Sequence, residues 1–271
     1  MRLKWYAVPY IAWMVLFTVA PLGLLLVYSL TNAQGGFTLD QFARFFREPI
    51  FLSILMNSLW LALLCTVFCL VLGYPVAFIL SRMKRGGLVS VLFILPMWMN
   101  FLLRTYAWMS ILENSGIVNR LLMAMGFGQV TLLYNANAVL FGMVYNYLPF
   151  MILPILTVLR KMDRSLLEAA GDLGANPFET FRRVVLPLSV PGVVSGITMV
   201  FMPAVTTFVI TQLLGGSQFM LFGDLIQQQF MQVADWNFGS AMSVIITVLM
   251  LLSMAVMNRL GGEERNRGDL I

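Results

Sequence analysis

Histidine is absent from the 271 residues, and with it go Ser–His triads, histidine metal sites and histidine proton relays. Lysine is almost absent: Lys4, Lys84 and Lys161 are the only three, and none follows a glycine. A phosphate-binding loop needs Gly-Lys-Ser or Gly-Lys-Thr so that the lysine reaches the phosphates. This chain has no such loop and so no nucleotide site of that kind. Charged residues of all kinds are scarce, 11% against roughly 25% in a soluble globular domain. The net charge of +5 does not point to nucleic acid, because the basic residues lie in short clusters between apolar runs and form no basic domain or stripe. The two cysteines, Cys65 and Cys69, stand four apart in one apolar run and so on one helix face. With no further Cys or His to complete a metal site, that pair reads as buried packing.

What the chain does have is apolar length, with hydrophobic residues at 60% of positions. Runs at about 6–30, 52–81, 88–112, 136–158, 190–213 and 237–258 reach the ~20 residues that a helix needs to cross a bilayer. They predict an all-α membrane protein with six transmembrane helices in a single domain, 1–271. The first run follows Arg2 and Lys4 and exceeds the apolar core of a cleavable signal peptide, about 7 to 15 residues, so it reads as a retained helix. Lys and Arg in short loops stay in the cytoplasm. One side holds thirteen of them: Arg2, Lys4, Arg82, Lys84, Arg85, Arg160, Lys161, Arg164, Arg182, Arg183, Arg259, Arg265 and Arg267. The other holds four, Arg44, Arg47, Arg104 and Arg120, which puts both termini in the cytoplasm. The apolar stretch 117–122 predicts a short helix along the outer membrane face, and 261–271 reads as a polar tail.

The sizeable cytoplasmic loop, 160–189, reads as two short helices with a break. Ser165 is placed to cap the first, with Glu168 completing a capping box, and Leu166, Leu167, Ala170 and Leu173 forming its apolar face. Gly174 suits a left-handed position after a helix, Asn176 a cap, and Pro177 a first turn. Phe178, Phe181, Val184 and Val185 form the second apolar stripe, Arg182 and Arg183 face outward, and Pro187 and Pro191 mark the return into the membrane. From these residues alone, an interfacial loop that closes the bundle and a surface for a partner remain equally open.

Glu168-Ala169-Ala170, Gly174, Phe181 and Leu186-Pro187 resemble the EAA loop, the signature of ABC importer permeases. That resemblance implies a type I importer permease in the bacterial inner membrane, with a coupling helix seated in a groove on an ATPase. It implies that Glu168, Ala169, Ala170, Gly174, Ala175, Phe178 and Phe181 contribute to ATPase coupling. The implied partners are a second permease subunit forming a heterodimer, two ABC ATPase subunits carrying ATP and Mg, and a periplasmic or extracellular substrate-binding protein; no cofactor is expected in this chain. Tyr74-Pro75-Val76-Ala77, Leu95-Pro96-Met97-Trp98, Arg104-Thr105-Tyr106-Ala107-Trp108, Gly116-Ile117-Val118-Asn119, Tyr145 to Phe150 and Leu213-Leu214-Gly215-Gly216 look closest to the spermidine/putrescine (PotB-like) branch. Permeases for iron, sulfate or other solutes share several of these. Between Pro203 and Gly215 the branch pattern would have a Gly and a further Pro, where this chain has Thr206, Thr207 and Thr211.

A polyamine path should offer carboxylates, aromatic faces and polar groups turned into the bundle. Trp98, Asn100, Tyr106, Trp108, Glu113, Tyr145, Asn146 and Tyr147 are the candidates, with Asn57 a further one. Aromatic belts at membrane interfaces form without binding anything, and that reading competes for each ring. Arg104 would repel a cation; it either pairs with Glu113 or snorkels to the interface. Asp224 and Asp235 are placed outside, near Trp236. An intramembrane enzyme is the runner-up from another class, but neither a Ser–His dyad nor a pair of intramembrane aspartates is available.

Overall fold

The computed structural model describes residues 8–32, 34–83, 91, 95, 97–216 and 219–268. Among these the protein is helical, with one isolated antiparallel bridge between Thr31 and Phe37. Its helices are α1 (Val8–Ser29), α2 (Asp40–Arg47), α3 (Pro49–Arg82), α4 (Phe101–Leu112), α5 (Ile117–Ala124), α6 (Ala136–Lys161), α7 (Arg164–Asp172), α8 (Pro177–Thr206), α9 (Phe222–Gln228) and α10 (Trp236–Gly268). Five of them, α1, α3, α6, α8 and α10, are long and apolar enough to cross a membrane. The expected span at 88–112 is described as a continuous helix only over α4. Residues 84–90, 92–94 and 96 of that region, the charges Arg2, Lys4, Lys84 and Arg85, and residues 269–271 lie outside the described residues.

Three helices, α3, α6 and α8, pack on one another and hold most of the core. Small residues set how closely they approach, since between apolar helices close packing replaces the hydrophobic drive. A Cβ on Gly192 would stand 3.0 Å from both Ile155 Cα and Pro154 O, and one on Gly196 would stand 2.7 Å from Met151 Sδ. Cys65 and Cys69 are fully buried in the same core, with Cys69 Sγ 3.8 Å from the Val144 carbonyl. Helix α10 packs on α8 and on α1, whose remaining surface is exposed.

Alternating direction puts one end of α3, α6 and α8 beside α7, the hairpin end, and the other beside α2, α5 and α9. At that opposite end α2 closes over the bundle: Phe45 is buried edge-on against Phe222, and Arg44 pairs with Glu48 (3.3 Å) and Asp235 (3.2 Å). The charged sequence of α2 hides this helix from a search for apolar runs. Two further boundaries differ from expectation. The span placed at 190–213 begins at Pro177 and ends at Thr206, and the final helix continues to Gly268 through the stretch read as a tail.

Candidate functional site

The hairpin is built by local chemistry. The side chain of Asp163 caps α7 by accepting from the Ser165 N–H at 3.0 Å. That N–H holds the Asp163 carboxyl below the usual carboxylate range. The expected cap, Ser165, is itself inside the helix: an aspartate two residues earlier takes the position, so no box forms with Glu168. After Leu173, Gly174 adopts φ +80°, where a Cβ would crowd the following carbonyl. Its N–H donates to Gly171 O at 2.9 Å, and that of Ala175 to Ala170 O at 3.0 Å, which satisfies carbonyls left free by the helix end. Asn176 then caps α8 in a reciprocal box: its side chain accepts from Glu179 N (2.9 Å), and the Glu179 carboxylate accepts from Asn176 N (3.0 Å).

The second arm of the hairpin does not stop at the membrane. Helix α8 runs on through a π-helical turn at Phe181–Val185, with Pro187 and Pro191 inside it. Proline has no N–H to give the ladder, and the wide turn just before Pro187 absorbs the mismatch. The residues read as two apolar faces divide accordingly. Leu173 (89% exposed) and Phe178 (70%) stand outward, beside the exposed Glu168 and Ala169, while Ala170 and Ala175 are half-buried. Phe181 turns inward, edge-on to Tyr74 (5.9 Å) and Phe78 (5.3 Å) of α3, and Tyr74 shares a 2.8 Å hydrogen bond with Ser189. Leu167 and Glu168 line a cleft of about 600 Å³ between α7 and the ends of α3 and α6.

Asn176→Ala is expected to loosen the start of α8 by about 1 kcal/mol. Amide exchange at 178–181 should rise about fivefold, whereas Ser165→Ala, which removes no cap, should leave exchange in α7 unchanged.

The path candidates fall into three groups. Trp108 packs edge-on against Phe141 (4.7 Å) and Tyr145 (5.2 Å). Asn146 and Tyr147 are buried in the bundle: Asn146 Nδ2 donates to Gly142 O (2.8 Å), leaving Oδ1 without a partner, and the Tyr147 hydroxyl donates to Pro203 O (3.3 Å). Trp98 (78% exposed), Tyr106 and Glu113 lie on the surface, as does Asn100, which caps α4 by accepting from Leu102 N. Asn57 is exposed too. Arg104 Nε is buried with no hydrogen-bond partner, and among the described residues no ion pair joins Arg104 to Glu113.

A second cleft, of about 470 Å³, lies in the connection between α8 and α10 and is lined by Gln212, Asp224, Gln227, Gln228 and Gln232 with Phe219 and Met220 at its apolar part. The connection folds back on the bundle: Phe222 N donates to Ser58 Oγ of α3 at 2.7 Å, and Gly223 lies against the terminal carbonyls of α8. Asp224 Oδ2 accepts from Leu221 N at 2.9 Å. Burial pushes its carboxyl up to about 6, while the Leu221 N–H and the nearby Thr211 and Gln212 side chains pull the other way.

The chain as a whole has known counterparts. The sequence profile of the family described as binding-protein-dependent transport system inner membrane component matches residues 4–262. The chain belongs to this family. The permease is 37% identical to the spermidine/putrescine transport system permease protein PotB of Salmonella typhimurium, over 91% of this chain and 89% of that one. It is 38% identical to PotB of Haemophilus influenzae, over 92% and 90%. Its fold superposes with TM-score 0.84 on a bacterial ABC transporter chain involved in import of the acidic polysaccharide alginate, at 19% identity, covering 96% of this chain and 95% of that one. The permease is thus a multi-pass inner-membrane subunit of an ABC importer, works with a separate binding protein, and is not an enzyme.

Sequence reasoning missed the polar cleft of this permease. Asp224, Gln227, Gln228 and Gln232 recur at i, i+3, i+4 and i+8, the spacing of one helix face, and that signal was available. Their contact with Gln212 depends on a fold-back that no local pattern encodes.

Proposed function

We propose that this permease imports a polyamine, spermidine or putrescine, by alternating access driven by a separate ATPase. The observation carrying the cargo is the identity of 37% and 38%, over about nine-tenths of both chains, with relatives named for spermidine/putrescine transport. The Lys and Arg count supports six spans with both termini cytoplasmic, which puts the hairpin inside the cell and the Asp224 cleft outside. The exposed Glu168, Ala169, Leu173 and Phe178 then form the surface for an ABC ATPase that holds ATP and Mg. Phe181 passes its movement to α3 through Tyr74 and Phe78. The complete importer contains a second permease chain in a heterodimer, two ATPase chains and an external binding protein. Asn146, Tyr147, Trp108 and Tyr145 remain the candidates for the path through the bundle.

Reconstitution with candidate binding proteins tests the cargo. Binding protein loaded with spermidine or putrescine should stimulate ATP hydrolysis and drive uptake. Stimulation confined to an anion, a metal chelate or an amino acid would replace the polyamine with that solute.

A further inference from the structure

The cleft between α8 and α10 holds two buried polar groups whose hydrogen-bonding capacity the fold does not use. Asp224 is 7% exposed and the Thr211 hydroxyl beside it is fully buried; Thr211 lies close enough to pull the carboxyl down, yet neither Asp224 Oδ1 nor Thr211 Oγ1 has a partner of full hydrogen-bond geometry. Leaving such groups unpaired costs free energy, so an unpaired buried carboxylate oxygen in a cleft marks a place where a ligand supplies what the protein does not. Around Asp224 the lining is amide: Gln212, Gln227, Gln228 and Gln232, with Gln212 Nε2 donating to Gln227 Oε1 across the connection. The apolar part is Phe219 and Met220. The volume, about 470 Å³, lies within the usual range for small-ligand sites, about 300 to 1,000 Å³.

The missing partner must be a donor, and its charge is fixed by Asp224. A carboxylate or phosphate ligand would meet a carboxylate already short of solvation. An alkylammonium group brings positive charge and three donors with no acceptor, and amide carbonyls are neutral acceptors for the donors that Asp224 does not take. We propose that this cleft is a subsite for one ammonium group of the transported amine, with Asp224 as its charge partner, glutamine amides as neutral acceptors, and Phe219 and Met220 against the adjoining methylenes. The assignment rests on the polyamine reading of the permease. A single carboxylate among amides suits a transport path better than several would, because a solute must be bound well enough to enter and loosely enough to leave.

Asp224 also caps α9 through Oδ2, so the test separates charge from capping. Asp224→Asn keeps an acceptor for Leu221 N and removes the charge. Gln228→Lys leaves the cap untouched and places a fixed cation in the cleft. The full importer, in proteoliposomes with its binding protein, is assayed for initial uptake of radiolabelled spermidine across a concentration series. Both variants should raise the half-saturating concentration at least tenfold, while Asp40→Asn, an exposed carboxylate at the same end of the bundle, should match the wild type. If Asp224→Asn fails to assemble, Gln228→Lys alone decides. Uptake by the wild type with unchanged half-saturation in Gln228→Lys would overturn the subsite and leave Asp224 as a cap. Absence of spermidine and putrescine uptake by the wild-type importer would overturn the polyamine reading, and with it the ligand assigned to this cleft.

Discussion

Gly192→Val is expected to abolish accumulation of folded permease. A Cβ at this position would stand 3.0 Å from Ile155 Cα, Pro154 O and Val158 Cγ2, and two of those three atoms are backbone of α6. No rotamer change can move them. Relief requires α6 and α8 to separate, and those helices carry the buried Met151, Ile152 and Ile155. Overpacking a core with flexible neighbours costs about 1 to 3 kcal/mol; here the opposing wall is a helix, and the loss should exceed that range. Gly196→Ala makes the informative contrast. Its nearest neighbour is closer, 2.7 Å, but that atom is Met151 Sδ, the movable part of a flexible side chain, and the nearest backbone atom, Met151 O, is farther away, at 3.2 Å. The alanine variant should purify as a monodisperse protein with a lowered melting temperature, and the valine variant should not. Size-exclusion profiles and thermal melts in detergent check both. A valine variant as monodisperse and as stable as the alanine one would mean that α6 and α8 are not held at this separation.

Phe178→Asp is expected to uncouple ATP hydrolysis from transport. Phe178 and Leu173 are large, apolar and exposed at the turn of the hairpin. Exposed apolar side chains gathered at such a place mark a docking surface. A buried aromatic anchor at a protein interface is worth about 2 kcal/mol or more, equivalent to about thirtyfold in affinity. A carboxylate at the same position adds the penalty of desolvating a charge. ATPase retained on the purified permease should fall at least thirtyfold, and binding-protein-stimulated uptake should fall to background. Phe181→Leu should separate docking from transmission: Phe181 packs inward on Tyr74 and Phe78, so the ATPase should remain bound while uptake declines. Full retention of ATPase by Phe178→Asp would remove the exposed turn from the interface.

The contrast between Gly174 and α8 explains what the sequence made legible. Gly174, Asn176 and Pro177 each answer to chemistry within a few residues, and their roles follow from local backbone geometry. The capping of α7 also depends on near neighbours, but two of them, Asp163 and Ser165, compete for one position. The start of α8 at Asn176 and Pro177 was legible, but its continuation was not, because Pro187 and Pro191 are ordinary helix boundaries and a break is expected there. Here a π-helical turn accommodates them, and nothing in composition announces such a turn. The cleft was less legible still. Phe222 is tied to Ser58, 164 residues earlier, and long-range contacts of this kind turn a polar connection into a wall of the bundle. Among the aromatic candidates, Trp108 and Tyr145 are in ring contact, but nothing in the sequence separates surface residues such as Trp98 from buried ones such as Tyr147.

Helix α8 links the two ends of the molecule in one piece. It starts at the Asn176 cap in the hairpin and stops at Thr206, against which Gly223 is seated without room for a side chain. At ~1.5 Å per residue its thirty residues make a lever about 45 Å long. A lever of that length magnifies: tilting its foot by about 5° carries its tip about 4 Å, the width of the gap that a methylene chain fills. The polar connection would travel with that tip, so its opening and closing need no joint of their own.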